Sequence, residues 1–315
     1  MTLAGENRKN IPLISILIPT RNGADTLSEL LAMLSIQTIS VDEILIADSG
    51  SEDRTIDIAG RYGVTILPID PATFDHGGTR TLLSRQAKGE ILVFFTQDTI
   101  PKKRDSVEKL IAPLLNDPEV ATSYGRQLPA FNADFFAKSL RGFNYSEHAS
   151  VRSIGDKDKL GMKTAFTSNS FASYRRSALE SIGFFQDGLI FGEDTIAVAH
   201  LLSRGKKIAY VPEAAVYHSH NYTPTEEFRR YFDIGVLHSS EAWFVKMFGN
   251  AEGQGKKYIK YVLRALYAEK KLHILPEFML RIMLKYCGYR LGMYYRKLPI
   301  HLVPRLSLHQ SWWTK

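Results

Sequence analysis

The chain has 315 residues, 44% of them hydrophobic and 23% charged, an ordinary globular composition that excludes disordered, collagenous and low-complexity classes. Its one cysteine, Cys287, excludes an intrachain disulfide and a multi-cysteine metal site. The net charge is +7, but residues 256–315 hold 13 Lys and Arg against 2 Asp and Glu while the rest of the chain carries 27 against 31, so the whole positive excess lies in the tail.

Residues 1–10 are polar and lack the apolar stretch of a signal peptide. Residues 14–18 form a short β-branched run closed by Pro19, which reads as a buried strand. Leu27, Leu30, Leu31 and Leu34 share one face of a helix over 27–35. A strand at 43–47, a helix at 55–62 and a strand at 64–67 follow. The next helix is expected over 79–88, with Gly89 as its C-cap, and the apolar run ILVFFT at 91–96 as the central strand. Strands alternating with helical segments predict βαβ units and a parallel sheet, whose ligand sits at the carboxyl ends of the strands. Polar residues stand there every time: Thr20, Arg21 and Asn22; Asp48, Ser49, Ser51 and Asp53; Asp75, His76, Gly77 and Gly78; Gln97, Asp98 and Thr99. Helix capping is the competing reading for Asp53 and Thr79, and a tight turn for Gly77–Gly78.

Beyond Pro129 the pattern changes. Residues 131–150 are aromatic and amphipathic and are expected to be helical. Ser168, Asn169 and Ser170 lead into a strand at 171–174, and a helical turn follows at 177–182. Glu193 and Asp194 open a helix that Gly205 ends, ahead of a strand at 208–211 and then His218 and His220. From 223 onward the sequence reads as helix throughout.

The chain has neither a GxGxxG fingerprint nor a Walker lysine loop, which argues against dinucleotide and P-loop enzymes. Asp98, a carboxylate at the end of an apolar strand, offers hard oxygen ligands for a divalent cation with positions left open for phosphate. His218 or His220, on one face of an extended segment, adds an imidazole, a mixed set that Mn2+ accepts. A purely structural role is the alternative for each histidine. The Glu193–Asp194 pair either complements the helix dipole or supplies a general base.

Taken in order, SILIPTRNG, ILIADSGSEDRT, FDHGGTR, the strand–TQD–xxP unit and FGEDTIAVAHLLSRGKKIAYVPEAAVYHSH resemble the inverting glycosyltransferases of family 2, and among them the bacterial rhamnosyltransferases. The resemblance runs from Ile14 to about Tyr222, and FDHGGTR is the segment that points to rhamnose. It implies an α/β, GT-A type αβα sandwich with a mixed, mostly parallel sheet. Residues 1–222 would form the catalytic domain, with a nucleotide half over about 1–125 and an acceptor half over about 126–222; a basic helical region would occupy 223–315. Carried over residue by residue, Pro19, Thr20, Arg21, Asp48, Ser49 and Asp53 line the nucleotide, with His76, Gly77, Arg80 and Gln97 on the phosphate or donor sugar. Asn169 and Glu193 fall on the acceptor and donor-sugar side. Asp98 matches the metal carboxylate of the family's acidic motif, which here reads Gln97-Asp98-Thr99, with two of its usual acidic positions replaced. His218, with His220 as its rival, matches the further metal ligand, and Asp194 the catalytic base.

The implied reaction moves L-rhamnose from dTDP-β-L-rhamnose, with Mg2+ or Mn2+ as cofactor, to a hydroxyl of a glycan or polyprenyl-diphosphate-linked acceptor, giving an α-L-rhamnoside. Another UDP- or dTDP-sugar is the alternative donor; a non-enzymatic nucleic-acid binder is the remote one. In the tail, Arg281, Lys285 and Arg296 fall within about 60° on a 3.6-residue helix and are expected to form a cationic stripe. With Tyr286, Tyr289, Tyr294, Tyr295, Trp312 and Trp313 they resemble an in-plane membrane helix. The expectation is a cytoplasmic protein held peripherally on anionic lipid at the inner face of the membrane, with a homodimer contact as the rival use of the tail. The chain carries no recognised nucleic-acid motif, so nucleic acid is not expected as a partner.

Overall fold

The computed structural model describes residues 11–249 and 252–314; the polar opening segment lies outside them. In chain order the first half runs β1 (Ile14–Thr20), α1 (Ala24–Ser35), β2 (Glu43–Asp48), α2 (Thr55–Arg61), β3 (Thr65–Pro68), α3 (His76–Gln86), β4 (Ile91–Phe95), β5 (Ile100–Pro101), α4 (Ser106–Asn116) and β6 (Val120–Leu128). There follow α5 (Phe135–Asn144), β7 (Ser150–Arg152), α6 (Lys157–Leu160), β8 (Phe171–Arg175), α7 (Arg176–Ser181), α8 (Glu193–Ser203) and β9 (Lys207–Tyr217). Helices complete the chain: α9 (Pro224–Ser240), α10 (Ala242–Phe248), α11 (Glu252–Ala268), α12 (Leu275–Met293) and α13 (Val303–Leu306).

The strands form one nine-stranded sheet in the order β3-β2-β1-β4-β8-β6-β9-β5, with β7 added alongside β9. β1 to β4 pair in parallel, β8 runs antiparallel to both β4 and β6, and β6 and β9 are again parallel. β4 is apolar at every position because both of its faces are covered. Ile91, Val93 and Phe95 pack with α1 and α4, whereas Leu92 and Phe94 pack with α3 and α8. The C-terminal helices are part of this core: Phe232, Val236 and Leu237 of α9 and Phe244 of α10 join the cluster that holds Phe94 and Tyr174.

Several local expectations are corrected. α3 begins three residues earlier than expected, because the Asp75 carboxylate accepts the Gly78 N–H at 2.8 Å and is the cap that Thr79 was expected to be. Gly89 does not cap that helix; Ala87 does, in extended backbone, and a side chain at Gly89 would collide with Ser15 of β1. Gly77 is not a turn residue. It lies in the first turn of α3, and a Cβ there would strike the Gln186 carbonyl. The helix expected over 131–150 covers only Phe135–Asn144, and its far end becomes the edge strand β7, antiparallel to β9.

The tail departs most from expectation. Arg281 and Lys285 do share a helix face, but that face is buried. Both cations converge on Glu227 of α9, at 3.3 and 3.1 Å. Trp312 and Trp313 pack against the main core, not outward. No described helix is long and apolar enough to cross a membrane.

Candidate active site

The strand order reverses between β1 and β4, and in open sheets of this kind the ligand crevice lies at the carboxyl ends of the strands at such a point. Gln97 stands just beyond β4. Its Oε1 accepts the Arg21 N–H at 2.9 Å and its Nε2 donates to the Arg21 carbonyl at 3.0 Å. A carboxylate has no proton for the second bond, which accounts for an amide at the first position of the Gln97-Asp98-Thr99 motif. Thr99 is fully buried and hydrogen-bonded to the Thr96 hydroxyl at 2.7 Å. Only Asp98 of the three is left to face a ligand.

Asp98 meets the histidines because β5 pairs antiparallel with the end of β9, with Ile100 opposite Tyr217. Asp98 Oδ2 lies 3.4 Å from His218 Nε2 and 3.9 Å from His220 Nε2, and one ligand atom from each residue fits within 4.8 Å of the others. The two histidines are therefore joint members of one cluster. Burial opposes the Asp98 charge, but the hydrogen bond and charge of His218, with Thr96 and His220, keep the carboxyl well below its ordinary range. Burial and the neighbouring His218 push His220 down to about 4, so at neutral pH it carries a lone pair.

His218 is also oriented from behind. Its Nδ1 lies 3.0 Å from Gln127 Oε1, while Gln127 Nε2 donates to the Ser168 hydroxyl at 2.8 Å. With Oε1 toward the ring, Nδ1 donates to Gln127, and Nε2, which faces Asp98, is the nitrogen turned toward a metal. An ionised carboxylate, a neutral imidazole and an imidazole oriented by Gln127 suit Mg2+ or Mn2+.

Asp194 stands in the first turn of α8, half-buried, with its Oδ2 accepting the Asn169 N–H at 3.1 Å and its Oδ1 the Thr195 N–H at 2.6 Å. Burial and the adjacent Glu193 charge raise it to about 6, against the pull of those N–H groups. Ser168 and Asn169 are consecutive, so a short run of backbone ties the base to the Gln127–His218 arm. Asn169 is fixed in turn by the Tyr174 hydroxyl, which donates to its Oδ1 at 2.8 Å.

Glu193 and Arg80 are not free to act as expected. They pair with each other at 3.1 Å with both side chains almost fully buried, and Arg80 also donates to the His76 carbonyl. Burial disfavours the Glu193 charge, but the Arg80 guanidinium and His76 hold its carboxyl below the ordinary value. Arg80 therefore ties α3 to α8 and is not an open phosphate clamp.

On the nucleotide side, Asp48 accepts the Thr20 hydroxyl at 3.2 Å and the Ser51 N–H at 2.9 Å. Ser49 is buried with no partner for its hydroxyl among the described residues. Asp53 is exposed and behaves as a cap, accepting the N–H groups of Ala24 and Thr55. Pro19 lies within β1, opposite Ala47 of β2.

One wall of the crevice was not legible in the sequence. His220 contacts Tyr222 at 5.5 Å, Arg230 lies over both Tyr222 and Phe191, and Phe191 stacks on His309 at 6.0 Å. His309 meets His76 edge-on at 5.4 Å. This line of rings joins the cation cluster to the FDHGGTR loop. His309 is held there by Asp233 of α9, whose Oδ2 accepts the N–H groups of Leu308 and His309 at 2.9 and 3.2 Å. No local pattern marks such a residue, because its partners lie more than 70 positions away.

Residues 15–183 match the profile of Glycosyl transferase family 2. Among curated proteins, the chain is 39% identical over 302 residues to the O-antigen chain rhamnosyltransferase RfbN of Salmonella typhimurium, covering 95% of this chain and 96% of that one. It is likewise 39% identical over 305 residues to WbaN of Salmonella anatum, also an O-antigen chain rhamnosyltransferase, with 96% of each chain covered. Among solved structures, the Pyrobaculum calidifontis mannosyltransferase PcManGT, in complex with GDP-Man and Mn2+, aligns with a TM-score of 0.58 at 18% identity over 97% of this chain and 86% of its own. Glucosyl-3-phosphoglycerate synthase from Mycobacterium tuberculosis, with Mn2+ and UDP-glucose, aligns at 0.54 and 18% over 75% of this chain and 79% of its own. Those two likenesses establish the GT-A architecture. The profile match and the near end-to-end relatives go further, and by them the chain belongs to glycosyltransferase family 2.

Proposed function

We propose that this glycosyltransferase moves L-rhamnose from dTDP-β-L-rhamnose to a hydroxyl of a lipid-linked O-antigen glycan, with inversion to an α-L-rhamnoside. The observation that carries the mechanism is Asp194, a carboxyl raised to about 6 and tied through Asn169, Ser168 and Gln127 to the Asp98–His218–His220 cluster. The sugar rests on the two relatives named as rhamnosyltransferases.

In this reading Pro19, Thr20, Arg21, Asp48 and Ser49 receive the nucleotide, and the spare Ser49 hydroxyl is available to it. Asp53 and Gln97 support the loops from behind. His76 and Asn169 border the sugar, and the Arg80–Glu193 pair braces α3 against α8. Asp194 accepts the proton of the acceptor hydroxyl as that oxygen bonds to the anomeric carbon from the face opposite the phosphate. The anomeric carbon–oxygen bond breaks, and its electron pair leaves with the diphosphate. Asp98, His218 and His220 would hold Mg2+ or Mn2+, which offsets negative charge on the leaving group when bound.

The catalytic unit is taken as residues 1–222 and the helical region as 223–315. For attachment to an anionic membrane the exposed face of α11 replaces the buried stripe: Lys256, Lys260 and Arg264 interleaved with Ile259, Leu263 and Tyr267. Tyr286 and Met283 of α12 are exposed as well. A dimer contact is the competing use of that face.

A panel of nucleotide sugars tests the donor. Hydrolysis and transfer should be fastest with dTDP-β-L-rhamnose in the presence of Mg2+ or Mn2+. Preference for a UDP-sugar or another dTDP-sugar would overturn the rhamnose assignment and keep the family.

A further inference from the structure

We propose that Arg230 of α9 and Arg141 of α5 form a seat for a diphosphate group beside Asp98, His218 and His220. The proposal rests on reading that cluster as the phosphate end of the site.

The guanidinium of Arg230 lies 5.6 Å from the Tyr222 ring centre and 5.8 Å from that of Phe191, held between two aromatic faces. Among the described residues it has no carboxylate within ion-pair distance and no hydrogen-bond acceptor. Arg141 donates through Nε to the His218 carbonyl at 2.8 Å and lies over the Tyr145 ring, and its outer nitrogens are likewise unpartnered. Several other sheltered cations among the described residues have partners. Arg80 has Glu193, Arg281 and Lys285 have Glu227, and Arg152 has two carbonyls and the Tyr124 hydroxyl.

Both cations border the histidine segment: Arg141 holds the His218 carbonyl, and Arg230 lies over Tyr222, whose ring meets His220. Two like charges gathered in a partly desolvated crevice repel, and an anion between them relieves that repulsion. The guanidinium fork matches phosphate oxygens two at a time. A divalent cation on Asp98 would need phosphate oxygens from the same side, so a group with two linked phosphates fits both. Two substrates carry one: the nucleotide sugar, and an acceptor linked to a polyprenyl diphosphate. Arg230 stands outside the segment matched to the family profile, so the helical region would supply part of the site.

The test is calorimetric titration of the full-length protein with inorganic pyrophosphate and with dTDP, each with Mg2+, in wild type, Arg230→Gln, Arg230→Lys and Arg141→Gln, with thermal melts to check folding. Arg230→Gln should weaken pyrophosphate binding about tenfold or more, the worth of one charged hydrogen bond. Arg230→Lys should recover part of the loss. If dTDP weakens in step, the seat belongs to the donor. If dTDP affinity holds while KM rises for a diphosphate-linked acceptor, but not for the same glycan without it, the seat belongs to the acceptor. Wild-type pyrophosphate and dTDP affinities with an unchanged acceptor KM, in both Gln variants, overturn the proposal. A wild-type protein that binds pyrophosphate through Arg230 yet turns over no nucleotide sugar would sink the donor assignment and leave the seat standing.

Discussion

Asp194 is set by neighbours that pull in opposite directions. Burial and Glu193 drive its carboxyl up to about 6, while two backbone N–H groups restrain the rise. A base must be ionised to accept a proton, so kcat/KM should rise with pH below about 6 and level off above it, as a pH–rate profile would show. The same shift acts against the fold. The native state holds this proton more tightly than the unfolded chain does, so the contribution favours folding below pH 4 and fades as pH climbs through 6. Asp194→Asn should keep dTDP binding and lose transfer by at least about 10²-fold; near-normal turnover would remove Asp194 from the role. Gln127 gives a second measurement. Gln127→Met removes the acceptor for His218 Nδ1 and should weaken Mn2+ binding about 10–100-fold in a metal titration. The clustering of Asp98, His218 and His220 and the place of Asp194 at a helix start were legible because each stands at a strand end or helix start, where sequence order predicts position. The ion pair of Arg80 was not legible, because its partner, Glu193, is remote in the chain and only packing brings them together.

At the level of elements, the α9–α12 pair explains why the tail misled. Helical periodicity correctly put Arg281 and Lys285 on one face. It did not reveal that the face meets Glu227, which is buried between them. Removing that carboxylate leaves the sheltered Lys285 unpaired and Arg281 with only Glu277 and the Tyr222 carbonyl, so Glu227→Ala should cost about 3–5 kcal/mol in denaturant unfolding. Glycine makes the approach possible. A side chain at Gly288 would strike the Phe228 carbonyl and one at Gly292 the Phe232 carbonyl. Gly292→Ala should therefore destabilise by about 1–3 kcal/mol, as overpacked contacts do; an unchanged unfolding midpoint would contradict that packing. The parallel half of the sheet was readable from its β-branched runs. The antiparallel insertion of β8 between β4 and β6 was not, since no short-range signal orders distant strands.

For the whole molecule, α9 and α10 share the main core with the sheet, while α11 packs through Tyr258, Val262 and Leu266 in a separate cluster with Phe136 of α5 and Phe278 of α12, which leaves its basic face outward. The protein should float with liposomes containing anionic lipid at low salt and be released as salt screens the attraction. Replacing Lys256, Lys260 and Arg264 by Gln should weaken attachment by about 1 kcal/mol per charge. No flotation together with a stable dimer in solution would favour the oligomer. Finally, the seam at Asp233 bears on how the enzyme is handled. It stitches residues 307–309 to α9 and so presses His309 on His76. Tethering the protein to a resin by its C-terminal end would put mechanical load on the pocket wall, and trimming the chain back to Leu306 would delete that wall along with two core tryptophans. Purification handles placed there act on the donor's surroundings, and preparations that differ only in such a handle should differ in donor KM.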